Sequence, residues 1–127
     1  MKTIKVIIEK SSDGFFGAYA ENVEGIYGSG EDVKAVKQSI LDAIETNKEI
    51  GNFTYSDYQI KYCFDAESLL QYYKGILSNP TFEQLTGINQ KQIHHYATGL
   101  KKPRKAQRQK IQDALHNLGR ELLAIEL

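Results

Sequence analysis

The chain has 127 residues, with 16 Lys/Arg balanced by 16 Asp/Glu, and 41% of its residues are hydrophobic. That length fits one domain or two small ones with modest cores, for which partner chains often supply missing burial. No apolar stretch approaches the roughly 20 residues that span a bilayer, and the N-terminus lacks the apolar core of a signal peptide. A soluble, cytoplasmic protein with no membrane partner is expected. The single cysteine, Cys63, excludes an intrachain disulfide framework; its apolar strand context predicts a buried structural thiol. The zero net charge hides a division: residues 1–77 carry 8 Lys/Arg and 12 Asp/Glu, a net of −4, whereas residues 78–127 carry 8 and 4, a net of +4. An acidic half joined to a basic half implies two jobs, the basic one facing nucleic acid.

From Thr3 to Lys10, Ile4, Val6 and Ile8 alternate with Lys5 and Glu9, the period of a half-buried strand. Asp13-Gly14 supplies a hairpin turn, and residues 15–21 return antiparallel to the first strand. A third short strand is expected at residues 25–28. The segment Ser29-Gly-Glu-Asp32 reads as a helix start in which Ser29 caps, while Glu31 and Asp32 complement the helix dipole. Val33, Val36, Ile40, Leu41 and Ile44 then form a helical stripe that covers one sheet face, and Gly51-Asn52 ends the helix. Tyr58, Ile60, Tyr62 and Phe64 alternate as the last strand. These elements give an α+β fold, a small antiparallel sheet with one packed helix, in a first domain spanning residues 1–65.

The carboxylates of this half fall mostly in turns or at a helix start, which turn and cap chemistry explains. A two-metal nuclease would instead need several of them to converge on its ions, a less simple account of their positions. The chain is therefore read as a non-enzyme without cofactor.

The second domain, residues 66–127, is expected to be all-α. Asp65 can cap a helix with Leu69, Leu70, Tyr73, Ile76 and Leu77 on its apolar side. Asn79-Pro80 breaks that helix and starts another, whose Phe82 and Leu85 face inward. Gly87 sits where a tight helix-to-helix turn needs positive φ, and Asn89 is placed to cap the next helix, which runs from about Gln90 to Thr98. Its solvent face carries Gln90, Lys91, Gln92, His94 and His95, all able to hydrogen-bond base edges in a groove. Gly99 stops it. Lys101, Lys102, Arg104, Lys105 and Arg108 follow as candidate phosphate contacts. The adjacent His94 and His95 diverge by about 100° on a helix and have no nearby Cys or carboxylate, so no metal is expected. A last helix begins near Arg104; its Leu118, Leu122, Leu123, Ile125 and Leu127 exceed what so small a domain needs, and predict a homodimer or higher even oligomer.

Two resemblances attach to these residues. Residues 3–64, with Gly-Phe-Phe near the hairpin and Gly-Ile-Tyr-Gly-Ser-Gly before an acidic helix start, resemble the N-terminal domain of HicB-type antitoxins, a truncated RNase H fold. Phe82, Gly87, Ile88, Gln90, Ile93, Tyr96, Gly99 and Pro103 resemble the Cro-type helix-turn-helix carried at the C-terminus of many such antitoxins. One departure is Glu83, at a position usually small in that motif: either the helices cross more widely, or the carboxylate reaches solvent while its stem packs. The resemblance implies an antitoxin that neutralises a HicA-type mRNA-cleaving toxin and represses its own operon by binding operator double-stranded DNA. In that role Gln90, Lys91 and His95 would read bases, and Gln92 and His94 would reach phosphate or a neighbouring base. An orphan helix-turn-helix regulator with a protein- or ligand-sensing first domain is the alternative.

Overall fold

The computed structural model describes residues 1–127. Its contacts divide the chain into two compact units, Met1–Ser68 and Leu69–Leu127. The fold is α+β: a four-stranded sheet and five helices.

In the first unit, β1 (Lys2–Lys10) turns through Asp13-Gly14 into β2 (Phe16–Ala20), followed by β3 (Tyr27–Gly30), helix α1 (Val33–Glu49) and β4 (Tyr58–Phe64). The Asp13 carboxylate accepts the Phe15 N–H at 3.0 Å and the Ser11 hydroxyl, and Gly14 takes φ +88°, which closes the hairpin. Strand order across the sheet is β3-β2-β1-β4. The first three strands are antiparallel to their neighbours, but β4 runs parallel to β1, with Ile4 beside Ile60 and Val6 beside Tyr62. The sheet is therefore mixed, which corrects the antiparallel expectation. The cause is α1: its 17 residues return the chain some 25 Å along the sheet, so β4 starts at the end where β3 started.

The core joins Ile4, Val6, Ile8, Phe16 and Ala18 of the sheet to Val33, Val36, Ile40 and Ile44 of α1, closed by Ile26 and Phe53. Leu41, expected in the stripe, is exposed on the helix flank. Helix α1 lies so close to β3 that a Cβ on Gly30 would sit 2.7 Å from Ala35 Cβ, and one on Gly28 3.1 Å from the Ile40 backbone nitrogen. This approach explains why β3 extends to Gly30, two residues beyond the expected strand. It also moves the helix start: Ser29 belongs to the strand, and Asp32 is the N-cap, accepting the Ala35 N–H at 2.7 Å. Cys63 is exposed, not buried. It shares the uncovered face of β4 with Gln59 and Lys61, because α1 covers only the opposite face. On that uncovered face Tyr27, Tyr19, Ile7 and Cys63 form one row across all four strands.

Helix α2 (Ala66–Tyr73) begins as expected, with Asp65 accepting the Ser68 N–H at 2.7 Å. It stops earlier than its apolar spacing implies. Ile76 and Leu77 both donate their N–H to the Tyr73 carbonyl in a turn containing Gly75, and Ile76 is exposed.

The second unit packs α3 (Asn79–Thr86), α4 (Gln90–Ala97) and α5 (Lys105–Leu123) around Leu70, Phe82, Ile88, Ile93, Tyr96 and Ile111. Ser78 caps α3, Pro80 lies in its first turn, and Gly87 closes it in the left-handed region at φ +77°. No helix of the protein is long and apolar enough to cross a membrane.

Candidate nucleic-acid interface

The α3–turn–α4 element is held by local bonds that fix the pose of α4. The Gly87 N–H donates to the Glu83 carbonyl at 2.8 Å, and the Thr86 hydroxyl accepts the Ile88 N–H at 3.0 Å. Asn89 caps α4 by accepting the Lys91 N–H at 2.8 Å. Glu83, the departure from the Cro-type pattern, has a defined partner: its Oε2 accepts the Gln90 N–H at 2.6 Å. The carboxylate thus spans the turn and satisfies an otherwise orphaned donor at the positive end of α4. Neither a wider crossing nor a solvent-directed head group is needed to accommodate it.

Ile93 and Tyr96 anchor the buried side of α4. The opposite side forms an open concavity lined by Asn79, Asn89, Gln90, Lys91, His94 and His95. Asn79 is the residue that sequence reasoning missed. As the first residue of α3 it read as a helix breaker, and only the packing of α3 on α4 brings it into this concavity. Gln90, Lys91 and His94 are exposed.

Two residues of the expected reading set are placed differently. The Gln92 side-chain amide donates to the Tyr96 hydroxyl at 2.9 Å, which ties it to the flank of the core. His95 is half-buried; its Nδ1 is buried and lacks a hydrogen-bond partner, so the ring offers a ligand only its Nε2 edge.

Beyond α4, Gly99 turns the chain at φ +79°, and the Lys101 N–H donates to the His95 carbonyl at 3.2 Å. The basic loop is thereby attached to the last turn of α4. Lys101, Lys102, Arg104 and Lys105 are exposed, and no carboxylate of the second unit pairs with a cation: the two ion pairs of the protein, Lys5–Glu21 and Lys48–Glu45, both lie in the first unit. Arg108 is engaged locally, donating Nη1 to the Pro103 carbonyl at 3.0 Å. Helix α5 begins against the usual rules. Arg104 at its N-cap makes no side-chain cap bond, and the first turn contains no acidic residue. Cations at the positive end of a helix dipole are locally unfavourable, and an anion placed there relieves the conflict.

No group of three His, Cys, Asp or Glu side chains is arranged to hold a metal ion. Comparison with protein-family models, curated proteins and solved structures gives no match for this chain.

Proposed function

We propose that the second unit binds double-stranded DNA by inserting α4 into a major groove, with Gln90, Lys91, His94 and the Nε2 edge of His95 toward base edges. Lys101, Lys102, Arg104 and Lys105 then meet the flanking phosphates. Asn79 joins the set, and Gln92 acts by holding Tyr96. The observation that carries this reading is the unpaired cationic loop fastened to α4 through the Lys101–His95 backbone bond. It couples the groove-facing helix to the phosphate-facing charges, so both can engage one duplex at once. The uncapped, cationic start of α5 is intelligible if a phosphate completes it.

The chain as a whole is read as a HicB-type antitoxin that works by occupancy and not by chemistry. Its first unit holds a HicA-type toxin, and its second represses the shared operon. The element order of three strands, one helix and a fourth strand supports that assignment, as does an uncovered sheet face carrying Tyr19, Tyr27 and Ile7 as a protein-binding patch. The test has two arms. Purified protein should bind DNA from immediately upstream of its own gene, and should rescue growth when co-expressed with the product of the adjacent reading frame. Absence of DNA affinity overturns the operator role. DNA binding without rescue overturns the antitoxin role alone, leaving an orphan regulator.

A further inference from the structure

The two edges of the sheet are treated differently. At β3 the outward N–H of Ser29 is taken up by Ser39 Oγ of α1 at 3.1 Å, and α1 packs directly on the strand. The β4 edge has no such cover. The Lys2 N–H donates to the Asp57 carbonyl at 3.1 Å, and the parallel register sets Lys2 beside Tyr58. That phase repeats every second residue, so Gln59, Lys61 and Cys63 spend their backbone groups on β1. The N–H and C=O groups of Tyr58, Ile60, Tyr62 and Phe64 point outward, and none has a hydrogen-bond partner in the chain. The side chains of these same four residues lie half-buried at the margin of the core. Lys37 stands 4.7 Å over the Tyr62 ring and Lys48 5.2 Å over that of Tyr58. A seven-residue edge with no proline and a continuous apolar line is a template for strand addition.

We infer that β4 pairs antiparallel with β4 of a second copy of this chain, about a two-fold axis at Ile60, joining two sheets into one of eight strands. The pattern of β4 is self-complementary in this register. Ile60 meets the partner's Ile60, and Tyr58 meets the partner's Tyr62, all through outward-facing backbone groups. On the other face, Gln59 lies opposite the partner's Lys61, with the partner's Asp57 on the diagonal from Lys61. Centring the pair on Lys61 would instead oppose two ammonium groups at the closest side-chain position, which like-charge repulsion disfavours. Centring it on Tyr62 would set Tyr58 against residue 66, where α2 has begun. Lys61 thus acts as a register filter in the middle of the edge.

The register places Asp57 opposite the partner's Cys63, whereas within one chain the two lie about 20 Å apart along the strand, beyond disulfide reach. Mild oxidation of full-length Asp57→Cys should therefore give a covalent dimer on a non-reducing gel. Wild type and Asp57→Cys/Cys63→Ser should remain uncrosslinked. At a total protein concentration 100-fold above the dimer Kd about 7% of chains remain dissociated, so exchange of the Tyr58, Ile60 and Tyr62 amides should slow roughly 15-fold relative to the dissociated chain. A monomeric Asp57→Cys gel overturns the pairing, as does fast exchange of those amides at every concentration. Protection that appears only with another protein present assigns the edge to a foreign strand and equally overturns it. None of these readouts involves DNA or toxin, so failure here is distinct from failure of the function proposed above.

Discussion

Replacing Lys101 and Lys102 with alanine isolates the electrostatic half of the proposed interface. Four cations stand exposed and without a carboxylate partner where the phosphates would lie: Lys101, Lys102, Arg104 and Lys105. Lys91 is left out because it faces base edges in this reading, and Arg108 because its guanidinium is held by the Pro103 carbonyl. Each neutralised phosphate contributes about 0.9 to the slope of log affinity against log salt, so four give about 3.6 per chain. Affinity should then fall about 150-fold between 50 and 200 mM salt. The double variant should keep a slope of about 1.8 and lose only about 12-fold over the same range. Because both side chains are exposed and make no hydrogen bond or ion pair within the protein, the thermal midpoint should not move. Fluorescence anisotropy with a labelled fragment from upstream of the gene, repeated across a salt series, measures both slopes. A double variant whose slope stays within about 0.5 of the parent refutes the assignment of these lysines to phosphates.

Further outcomes follow from single positions. Glu83→Ala should cost the second unit about 1 kcal/mol in denaturant unfolding by orphaning the Gln90 N–H; Glu83→Gln, which keeps an acceptor oxygen, should lose less, and equal losses would exclude the capping role. Gly30→Ala should destabilise the first unit by about 1–3 kcal/mol, since its Cβ meets Ala35 and the Val36 backbone. Gly17→Ala on β2, with open space around the same position, is the control, and equal stabilities for the two variants would contradict the close α1–β3 approach. The Asp13 carboxyl is held below its ordinary 3.8 by the Ser11 hydroxyl and then the Phe15 N–H. A depressed carboxylate stabilises the fold above its unfolded value and loses that contribution as pH falls through the folded one, so the window lies below about 3.8. Asp13→Asn should flatten the acid limb of the stability curve there, and an unchanged limb would count against the hairpin bond.

Most elements are legible in the sequence because period and punctuation agree. The alternation of Ile4, Val6 and Ile8, the stripe from Val33 to Ile44, and the glycines at 14, 87 and 99 each encode a local constraint that the fold keeps. What could not be read depends on partners distant in the chain. Nothing in Tyr58–Phe64 states its direction; the α1 crossover sets it, and with it the mixed sheet. Ser29 and Asp32 are equally good caps in isolation, and the demand of Gly28 and Gly30 for contact with α1 decides between them. Cys63 sits among apolar neighbours in sequence, yet alternation turns it to the uncovered face. The same limit applies at the interface. The exposed face of α4 follows from its 3.6-residue period, and the Gln92–Tyr96 bond is a local i,i+4 pair within it, but Asn79 joins the concavity only once α3 and α4 pack.

Where local rules are broken also separates structural from functional residues. Glu83 looks out of place in a helix-turn-helix, but its conflict is resolved internally by the Gln90 N–H, so it belongs to stability. The start of α5 shows the reverse case. Arg104 and Lys105 sit at the positive end of a helix with no cap and no acidic residue nearby, and nothing in the chain relieves them. The bare β4 edge is of the second kind as well, with its outward backbone groups unpartnered while the β3 edge is closed by Ser39. A local conflict that the fold settles fixes a conformation, whereas one left open marks a candidate for binding. In the readings proposed above, the start of α5 takes a phosphate and the β4 edge takes a strand. These two chemistries require different partners, so loss of one interaction should leave the other measurable in the same protein.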